Sequence, residues 1–483
     1  MKILSVGSEI YPLVKTGGLA DVMGALPAAL AAESITMRAL VPGYPAVMAA
    51  LGAGAVALDI ADLFGGPARI VAGEPDGLPV FALDAPHLFA RPGNPYLASN
   101  GVDWPDNAQR FAALSRVASL VARGAIAGFV PDIVHAHDWQ AGLVAAYLHY
   151  DGLPAPPSVM TVHNLAYQGQ FPAYLLGALG LPVAAYAMDG VEYYGSIGFL
   201  KAGLQFADAI TTVSPHYAVE IATPEGGMGL DGLIRARNSV VHGILNGLDT
   251  ANWNPATDRA LVARYDASTI EARPANKVAL QARMGLKPHP ESLLFGVVSR
   301  LAAQKGIDLI IEALPLLESL DAQIVVLGTG DPAIERALAE AIARYPGRVG
   351  VMFGFEEALA HQIMAGADAV MVPSRFEPCG LTQLSAQRYG AIPLVSAVGG
   401  LVDTVIDANA VALGAGVATG LQFAPVTAAG LRDGIRRCAA LFPDRAVWQQ
   451  IQRNAMALDV SWAAPARRYA SLYRQLAQSR PGK

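Results

Sequence analysis

The chain has 483 residues, of which 53% are hydrophobic and only 15% are charged, and its formal net charge is −6. This composition is typical of a globular protein too long for one core, and it argues against disorder and against a nucleic-acid-binding surface. The only two cysteines, Cys379 and Cys438, exclude a disulfide framework. We therefore expect two domains and a cytoplasmic location, with no nucleic-acid partner.

The first apolar run spans residues 3–6 and is followed closely by Glu9. It is too short for a secretion signal and predicts a buried first strand. No uninterrupted apolar run approaches the roughly 18 residues that a membrane span needs, so no membrane partner is expected.

Short apolar runs alternate with helical patterns rich in alanine and leucine. This alternation predicts parallel sheets with helices on both faces. The predicted strands form two series, which suggests two such sheets. The first series is 3–6, 133–136, 158–162, 209–213 and 240–244, and the second is 294–298, 322–327, 349–353, 369–372 and 392–395. Helical patterns such as 107–125 and 307–317 lie between strands.

The predicted domains are 1–245, 246–458 and a final segment, 459–483. The first boundary precedes a turn-rich stretch, 253–258, that has no strand pattern. The final segment contains a late helix without a strand partner in the second domain. We expect this helix to pack back on the first domain.

The most informative segment is 373–382, which lies between a strand pattern and a helix pattern. Ligands bind at such junctions in open α/β sheets. The N–H groups of Gly380, Leu381 and Thr382 would suit a phosphate. Glu377 would repel phosphate, so a neutral group rich in hydroxyls is expected beside it. A sugar attached to a diphosphate satisfies both requirements.

A glycine-rich segment near the N-terminus has similar features. Gly17 and Gly18 would let backbone N–H groups approach a ligand, and Lys15 supplies a charge for phosphate. The segment is not a P-loop, because no Lys-Ser/Thr pair ends the glycine run. The pattern recurs at Gly399 and Gly400. It represents either one turn used twice or two glycine-rich helix starts that face one ligand.

Two cations follow the strand 294–298. Arg300 and Lys305 could clamp a diphosphate and stabilise its growing charge as it leaves. The alternative is that Arg300 and Lys305 are ordinary solvated cations. The nearby Glu377 segment favours the diphosphate clamp over this alternative.

His135 and His137 alternate along a predicted strand, so both imidazoles could converge on one face. No third ligand suggests itself, so a zinc site is not expected. Asp138 and His163 are instead expected to face a polar ligand from the ends of neighbouring strands. The chain also lacks any Asp-x-Asp pattern for a divalent metal, so cations and helix N-termini would have to replace the metal.

These motifs together resemble those of the bacterial glycogen synthases and the related starch synthases, from Met1 to about Leu476. The segments that carry the resemblance are 15–21, 135–140, 246–247, 253–255, 304–306 and 373–384.

The resemblance implies an α/β GT-B fold, with two Rossmann-like doubly wound domains and an interdomain cleft. It implies transfer of glucose from ADP-glucose to the nonreducing 4-hydroxyl of glycogen or another α-1,4-glucan. The configuration would be retained, and neither metal nor cofactor would be needed. The resemblance leaves open assembly into a homo-oligomer.

Roles follow from the same resemblance. The residues with catalytic roles would be Glu377, Arg300, Lys305 and His163. The substrate-binding residues would be Lys15, Gly17, Gly18, Asp21, Tyr96, Asp138, Asn246, Phe355, Ser374, Arg375, Cys379, Gly380, Leu381 and Thr382. Phe355 would stack on the adenine, and Tyr96 would lie near the nucleotide or sugar. A front-side reaction is preferred, whereas a double displacement would need a carboxylate such as Glu377 at the reacting carbon.

The chain has Gly227 where the family usually has a phenylalanine, Ser385 where it has a tyrosine, and Ala397 and Val398 where it has an arginine and a threonine. The absence of the arginine at position 397 could weaken donor or glucan binding. One alternative is therefore a non-catalytic nucleotide- or glucan-binding protein, and another is a transferase that uses UDP-glucose. A dinucleotide-like pattern at 328–333 would suggest an NAD-dependent oxidoreductase, but a plain strand-to-helix turn explains it better.

Overall fold

The computed structural model describes residues 1–479. The chain divides into two compact units. Unit 1 comprises Met1–Gly247 together with the residues from Trp462 onward, and unit 2 comprises Leu248–Ser461. The sequence-based boundaries after residues 245 and 458 differ slightly from this division.

Unit 1 is an α/β domain. Its strands are β1 (Lys2–Val6), β2 (Thr36–Pro42), β3 (Ala55–Ile60), β4 (Ala68–Gly73), β5 (Val80–Asp84), β6 (Ile133–His137), β7 (Ser158–Val162), β8 (Gln170–Pro172), β9 (Glu192–Tyr193), β10 (Ser196–Gly198), β11 (Ala209–Thr212) and β12 (Val241–Gly243). Its helices before unit 2 are α1 (Gly18–Ala31), α2 (Pro45–Leu51), α3 (Pro86–Phe89), α4 (Asn107–Ala122), α5 (Leu143–Tyr150), α6 (Phe199–Phe206), α7 (Pro215–Glu220) and α8 (Asp231–Ala236).

The main sheet of unit 1 has the order β12-β11-β7-β6-β1-β2-β5-β4-β3. All neighbours from β12 to β5 are parallel, and β4 and β3 add an antiparallel edge. Every residue of β6 and β7 is buried, because helices cover both faces of the central strands. A small antiparallel sheet, β8-β10-β9, lies outside this layer.

Unit 2 contains a second parallel sheet. Its strands are β13 (Leu294–Val298), β14 (Gln323–Gly328), β15 (Val349–Phe353), β16 (Ala369–Val372), β17 (Ile392–Ser396) and β18 (Leu421–Phe423). Its helices are α9 (Arg273–Arg283), α10 (Ile307–Ser319), α11 (Pro332–Arg344), α12 (Glu357–Gly366), α13 (Thr382–Arg388), α14 (Gly399–Thr404), α15 (Ala410–Gly414), α16 (Ala428–Leu441) and α17 (Arg445–Ala457).

The unit 2 sheet has the order β15-β14-β13-β16-β17-β18 and is parallel throughout. Apolar clusters lie on both of its faces. Side-chain caps mark several helix starts: Asp331 accepts from the N–H of Ala333 at α11, and Thr427 accepts from the N–H of Gly430 at α16. The glycine-rich stretch at 328–333 is thus a capped strand-to-helix turn.

The last helix, α18 (Ala463–Gln478), belongs to unit 1. Its buried residues Tyr469 and Tyr473 join an apolar cluster with Ile3 and Ile133 on one face of the main sheet. The Tyr473 hydroxyl also lies 2.7 Å from Nδ1 of His135. The helix therefore completes one of the two layers that cover the sheet.

The ten predicted strands are confirmed within about two residues at their ends, and the prediction missed others. The missed strands are β2 to β5, the short β8 to β10, and β18. Arg38 interrupts the apolar pattern of β2, and Asp59 interrupts that of β3, much of which is exposed. The predicted helix 107–125 was wrong at its end, since α4 stops at Ala122. No helix within residues 1–479 is long and apolar enough to cross a membrane.

Candidate active site

The strand order of unit 2 identifies a ligand-binding position. β13 lies between β14 and β16, so the chain leaves β13 towards one side and later continues on the other. Ligands bind at the carboxyl ends of the strands at such a switch point. A pocket of about 260 Å³, including open solvent, lies there. Its polar lining residues are Ser299, Lys305, Ser374, Glu377 and Thr382.

Lys305 and Glu377 meet in this pocket. The Nζ atom of Lys305 donates to Oε2 of Glu377 at 2.6 Å, and the Ser374 hydroxyl donates to the same oxygen at 2.8 Å. Glu377 is buried, whereas Lys305 retains partial exposure. The pocket therefore presents an ammonium group whose position is set by a buried carboxylate.

A glycine lets the two loops approach each other. Gly306 has φ +67, which is a left-handed conformation that favours glycine. A Cβ atom at Gly306 would lie 2.1 Å from the carbonyl oxygen of Pro373. The Lys305 loop and the Glu377 loop can therefore pack closely only because residue 306 has no side chain.

The two predicted arginines differ in their surroundings. The Nη1 and Nη2 atoms of Arg375 donate to the Asp308 carboxylate, at 2.8 and 2.6 Å, and Nη1 also donates to the Ala303 carbonyl. The hydrogen bond to Asp308 raises the pKa of Arg375. Arg300 has an exposed side chain, and its contacts include a long hydrogen bond, of 3.4 Å, to Gln304. Arg375 is thus held within the loop scaffold.

The turn after Glu377 is packed against the second glycine pair. The N–H of Gly400 donates to the Glu377 carbonyl at 3.0 Å, and a Cβ atom on Gly400 would lie 2.4 Å from the Cys379 carbonyl. Cys379 itself is buried. Gly380, Leu381 and Thr382 keep partial exposure and lead into α13. Gly400 therefore serves loop packing.

Phe355 lies outside the pocket lining. It follows β15 after a single glycine, and 75% of its surface is exposed. Tyr174 and Tyr194 are exposed to a similar degree, so the exposure of Phe355 does not by itself assign it a binding role.

Unit 1 has a switch point of its own, at β1 between β2 and β6. The predicted site residues of this unit lie mostly on loops that follow β1, β6, β7 and β12. These residues are Lys15, Gly17, Gly18, Asp21, Asp138, His163 and Asn246. Tyr96 comes from a longer loop between α3 and α4. The sheet edge thus brings together residues from distant parts of the sequence.

Glu9, which our sequence reasoning did not assign to the site, organises the loop after β1. Its carboxylate accepts from the N–H and hydroxyl of Thr16, both at 2.5 Å, and from the N–H of Gly17 at 3.1 Å. It also accepts from the hydroxyl of Tyr96, which in turn lies 2.8 Å from that of Ser8. The sequence signal that could have identified Glu9 is a carboxylate placed three residues after the end of the buried strand β1.

The glycine loop itself is open. A Cβ atom on Gly17 or Gly18 would meet nothing within 4 Å. Lys15 lies beside it and pairs with Asp21 at 2.7 Å, and both side chains are partly exposed. Since exposed ion pairs contribute little stability, Lys15 can exchange this partner for an anionic ligand at low cost.

Three histidines and an aspartate lie within β6 or just after β6 and β7. The rings of His135 and His137 are 4.0 Å apart, and Nδ1 of His137 lies 2.9 Å from Nε2 of His163. Oδ1 of Asp138 accepts from the N–H of His163 at 2.7 Å. Asp138 has φ +55, which is a strained conformation for a residue with a side chain, and such strain clusters at functional sites.

Burial controls the ionisation of this cluster. Burial lowers the pKa of both His135 and His163 to about 3, and it holds that of His137 well below its usual value. Burial also raises the pKa of Asp138 to about 7. The three imidazoles are therefore neutral near pH 7. Within residues 1–479 no group of three or more potential ligands could hold a metal ion.

Asn246 follows β12 and is buried. Its side-chain oxygen has no hydrogen-bond partner within residues 1–479. A buried oxygen without a partner is costly unless a ligand or water supplies a donor. Asn246 is therefore suited to accept a hydrogen bond from a bound hydroxyl.

The departures from the family pattern are accommodated locally. Ser385 is buried in α13, and Val398 packs against one apolar cluster of unit 2. At Gly227 a Cβ atom would lie 2.4 Å from that of Asp231 and 2.7 Å from the Ile221 carbonyl oxygen. A phenylalanine would therefore require the backbone around Gly227 to shift.

Comparison with known proteins identifies related chains. Residues 2–236 match a family model described as the starch synthase catalytic domain, and residues 283–454 match one described as glycosyl transferases group 1. The chain is 72% identical over 476 residues to the glycogen synthase of Acidiphilium cryptum, with 99% of each chain covered. It is 58% identical over 480 residues to that of Rhodopseudomonas palustris strain BisA53, covering 99% of this chain and 98% of the relative.

Solved structures are similar over the same length. The catalytic domain of starch synthase IV from Arabidopsis thaliana, bound to ADP and acarbose, matches with a TM-score of 0.87 and 32% identity, covering 99% of each chain. Sucrose-phosphate synthase from Thermosynechococcus elongatus matches with a TM-score of 0.61 and 18% identity, covering 99% of this chain and 100% of that one. The second match shows the fold alone. The chain therefore has the GT-B fold and belongs to the bacterial glycogen synthase family of glycosyltransferases.

Proposed function

We propose that this protein transfers glucose from ADP-glucose to the nonreducing 4-hydroxyl of an α-1,4-glucan such as glycogen, with retention of configuration. The observation that carries the proposal is the Lys305–Glu377 pair at the switch point of unit 2, in a chain of this family. A fixed cation serves a diphosphate, and an adjacent buried carboxylate serves sugar hydroxyls. The ADP and acarbose bound in the related starch synthase support the same choice of ligands.

The diphosphate would be held mainly by cations. Lys305 and Arg300 are the candidates in unit 2, and Lys15 beside the open glycine loop is the candidate in unit 1. The negative charge of the diphosphate grows as its bond to glucose breaks. Positively charged groups therefore stabilise the transition state more than the ground state, and they can do so without a metal ion.

The transferred glucose would be recognised by buried polar groups. Glu377 would accept hydrogen bonds from its hydroxyls, and the free oxygen of Asn246 would accept another. His163 and Asp138 would face the sugar, where positive charge develops in the transition state. Phe355 would stack on the adenine, and Ser374 and Thr382 would complete the wall of the phosphate-binding pocket.

The reaction would be a front-side displacement. The bond between the anomeric carbon and the phosphate oxygen breaks, and its electron pair stays on the leaving diphosphate. The acceptor 4-hydroxyl oxygen bonds to the anomeric carbon on the same face. Its proton passes to the leaving phosphate oxygen, so the atoms and charges balance and the configuration is retained.

Glu377 is a poor candidate for the nucleophile of a double displacement. One of its oxygens already accepts hydrogen bonds from Lys305 and Ser374. A carboxylate engaged in this way attacks carbon less readily, and it is well placed to orient hydroxyl groups instead. This supports the front-side route.

The test is incorporation of labelled glucose into a glycogen primer, from ADP-glucose and from UDP-glucose in parallel, with EDTA present. Incorporation from ADP-glucose that resists EDTA is expected, and NMR of the product should show new α-1,4 linkages. A preference for UDP-glucose would change the donor. β-Linked product would contradict retention. ADP binding without incorporation from either donor would favour a non-catalytic protein, as Ala397 and Val398 suggested.

A further inference from the structure

A chain of buried polar atoms runs through unit 1 from α1 to the loop after β7. The Ser5 hydroxyl lies 3.1 Å from Sδ of Met23 and 3.0 Å from Nε2 of His137. Nδ1 of His137 lies 2.9 Å from Nε2 of His163. The side chains of Ser5, Met23 and His137 are essentially inaccessible to solvent. The hydrogen bonds within this chain of atoms therefore determine which ring nitrogen of His137 and of His163 carries the proton.

Two arrangements of protons are conceivable. Both imidazoles are neutral, because burial lowers the pKa of each. A neutral imidazole has one N–H donor and one lone pair. Either His163 Nε2–H donates to His137 and His137 Nε2–H donates to Ser5, or every bond runs in the opposite direction.

The sulfur of Met23 distinguishes these arrangements. A thioether can only accept a hydrogen bond. In the first arrangement the Ser5 hydroxyl donates to Met23 and accepts from His137, so all the groups are satisfied. In the second, the hydroxyl proton is used on His137, and two lone-pair acceptors face each other 3.1 Å apart. The first arrangement is therefore favoured.

We propose that Met23 and Ser5 are positioning residues that, through His137, fix His163 as the tautomer with Nε2 protonated and Nδ1 bare. Within residues 1–479, Nδ1 of His163 has no hydrogen-bond partner of its own. The chain of atoms thus leaves one acceptor at its end, on a residue at the carboxyl edge of the sheet.

The role of this acceptor rests on the proposed function. Nδ1 of His163 accepts a hydrogen bond from a hydroxyl of the transferred glucose. Because the ring is neutral, it adds no positive charge beside the carbon where positive charge develops. The opposite tautomer would present an N–H group, which requires a lone pair on the sugar oxygen and changes the pattern of recognition.

The tautomer can be measured directly in the full chain. Histidines are labelled with ¹⁵N, long-range ¹H–¹⁵N correlations are recorded, and the His163→Gln variant assigns the His163 signals by their loss. We expect the wild type to have a protonated Nε2 and a bare Nδ1. Met23→Leu keeps the approximate shape of the side chain and removes the sulfur acceptor. The Ser5 hydroxyl then donates to His137, and Nδ1 of His163 becomes protonated.

A matched control and a second variant accompany the test. Thr211→Val removes a buried hydroxyl that bonds Thr161 at 2.5 Å in the same sheet, outside the chain of atoms, and should leave the tautomer unchanged. Ser5→Ala should reverse the tautomer as Met23→Leu does, because a bare Nε2 on His137 is tolerated better than an N–H group without a partner. Ser5→Ala replaces Met23→Leu in the test if circular dichroism shows that Met23→Leu does not fold.

Three results would overturn the proposal. They are a wild-type His163 protonated at Nδ1, a tautomer that stays unchanged in a folded variant, and a reversed tautomer with an unaltered KM for ADP-glucose. Loss of one hydrogen bond should raise this KM roughly tenfold with a smaller change in kcat. If the wild type makes no glucan, the proposed function fails, and the tautomer measurement still decides whether Met23 and Ser5 position His163.

Discussion

The ammonium group of Lys305 and the carboxylate of Glu377 lie 2.6 Å apart, although 72 residues separate them in the sequence. Each stands on a loop after a strand, and the two strands, β13 and β16, are adjacent. The pair thus links a group suited to a diphosphate with one suited to sugar hydroxyls.

Replacing Lys305 by alanine should lower turnover by about 10²- to 10³-fold, because the leaving diphosphate loses a fixed positive charge. The protein should remain folded, since Lys305 is only partly buried. The measurement is kcat for glucan synthesis, with circular dichroism as the check on folding. Lys287→Ala, at an exposed lysine of the same unit, is the control. Near-normal turnover of Lys305→Ala would refute the clamp.

The arginines at 300 and 375 should behave differently. Arg300→Ala should lower kcat by about 10²-fold or more if this exposed cation meets the diphosphate. Arg375→Ala should change kcat less than about tenfold and lower the free energy of unfolding by at most about 1 kcal/mol, because its partly exposed pair with Asp308 is screened by solvent. Equal losses of activity would contradict the assignment of Arg375 to the scaffold.

Glu9→Ala should lower the free energy of unfolding by about 2–3 kcal/mol, because it removes the buried carboxylate that accepts hydrogen bonds from Thr16, Gly17 and Tyr96. Tyr96→Phe removes only one of these donors and should cost about 1 kcal/mol. Urea unfolding compares the two. Glu9→Ala should also weaken ADP-glucose binding by loosening the glycine loop, and equal stability of the two variants would contradict the organising role of Glu9.

Gly306→Ala should lower the free energy of unfolding by about 2–4 kcal/mol, from left-handed strain together with a clash against Pro373. Gly285→Ala is the matched control, since Gly285 has φ +66 but no atom within 4 Å of a Cβ position. It should cost only the strain, about 1–2 kcal/mol. Thermal or urea unfolding measures both, and equal losses would show that the close approach of the two loops is unimportant.

The buried cluster of unit 1 should make stability depend on pH. His135 and His163 have pKa values lowered to about 3, so the stability that they contribute is present above their usual pKa of 6.5 and is lost as pH falls. Asp138 acts in the opposite direction: its pKa is raised to about 7, so its contribution is present below pH 3.8 and is lost as pH rises towards 7. The histidines outnumber it, and this cluster should lose stability on acidification from pH 7 to 5.

Urea unfolding at pH 7, 6 and 5 tests this balance. Each proton contributes up to about 1.4 kcal/mol per pH unit. His135→Gln should therefore make the decline shallower, and Asp138→Asn should make it steeper. Identical slopes in the wild type and both variants would contradict the ionisation states inferred for the cluster.

Much of the central architecture could be predicted because its signals are local. A parallel strand buried on both faces is a continuous apolar run, and the strands at 158–162 and 294–298 have their predicted bounds. The antiparallel edge strands β3 and β4, which include Asp59 and Arg69, were missed. The segment 373–382 was recognised for the same local reason, since a strand, a glycine turn and a helix follow one another directly.

The sequence by itself determined the alternation of strands and helices, the family, and the residue types at each strand end, because these properties reside in short contiguous segments. The tertiary structure decided which of those residues meet. Strand order and close approaches between loops produce three such contacts. They are the Lys305–Glu377 pair, the ion pair of Arg375 with Asp308, and the hydrogen-bonded chain from Met23 to His163. Such contacts join residues far apart in the sequence, and no local pattern specifies their distance or the position of their protons.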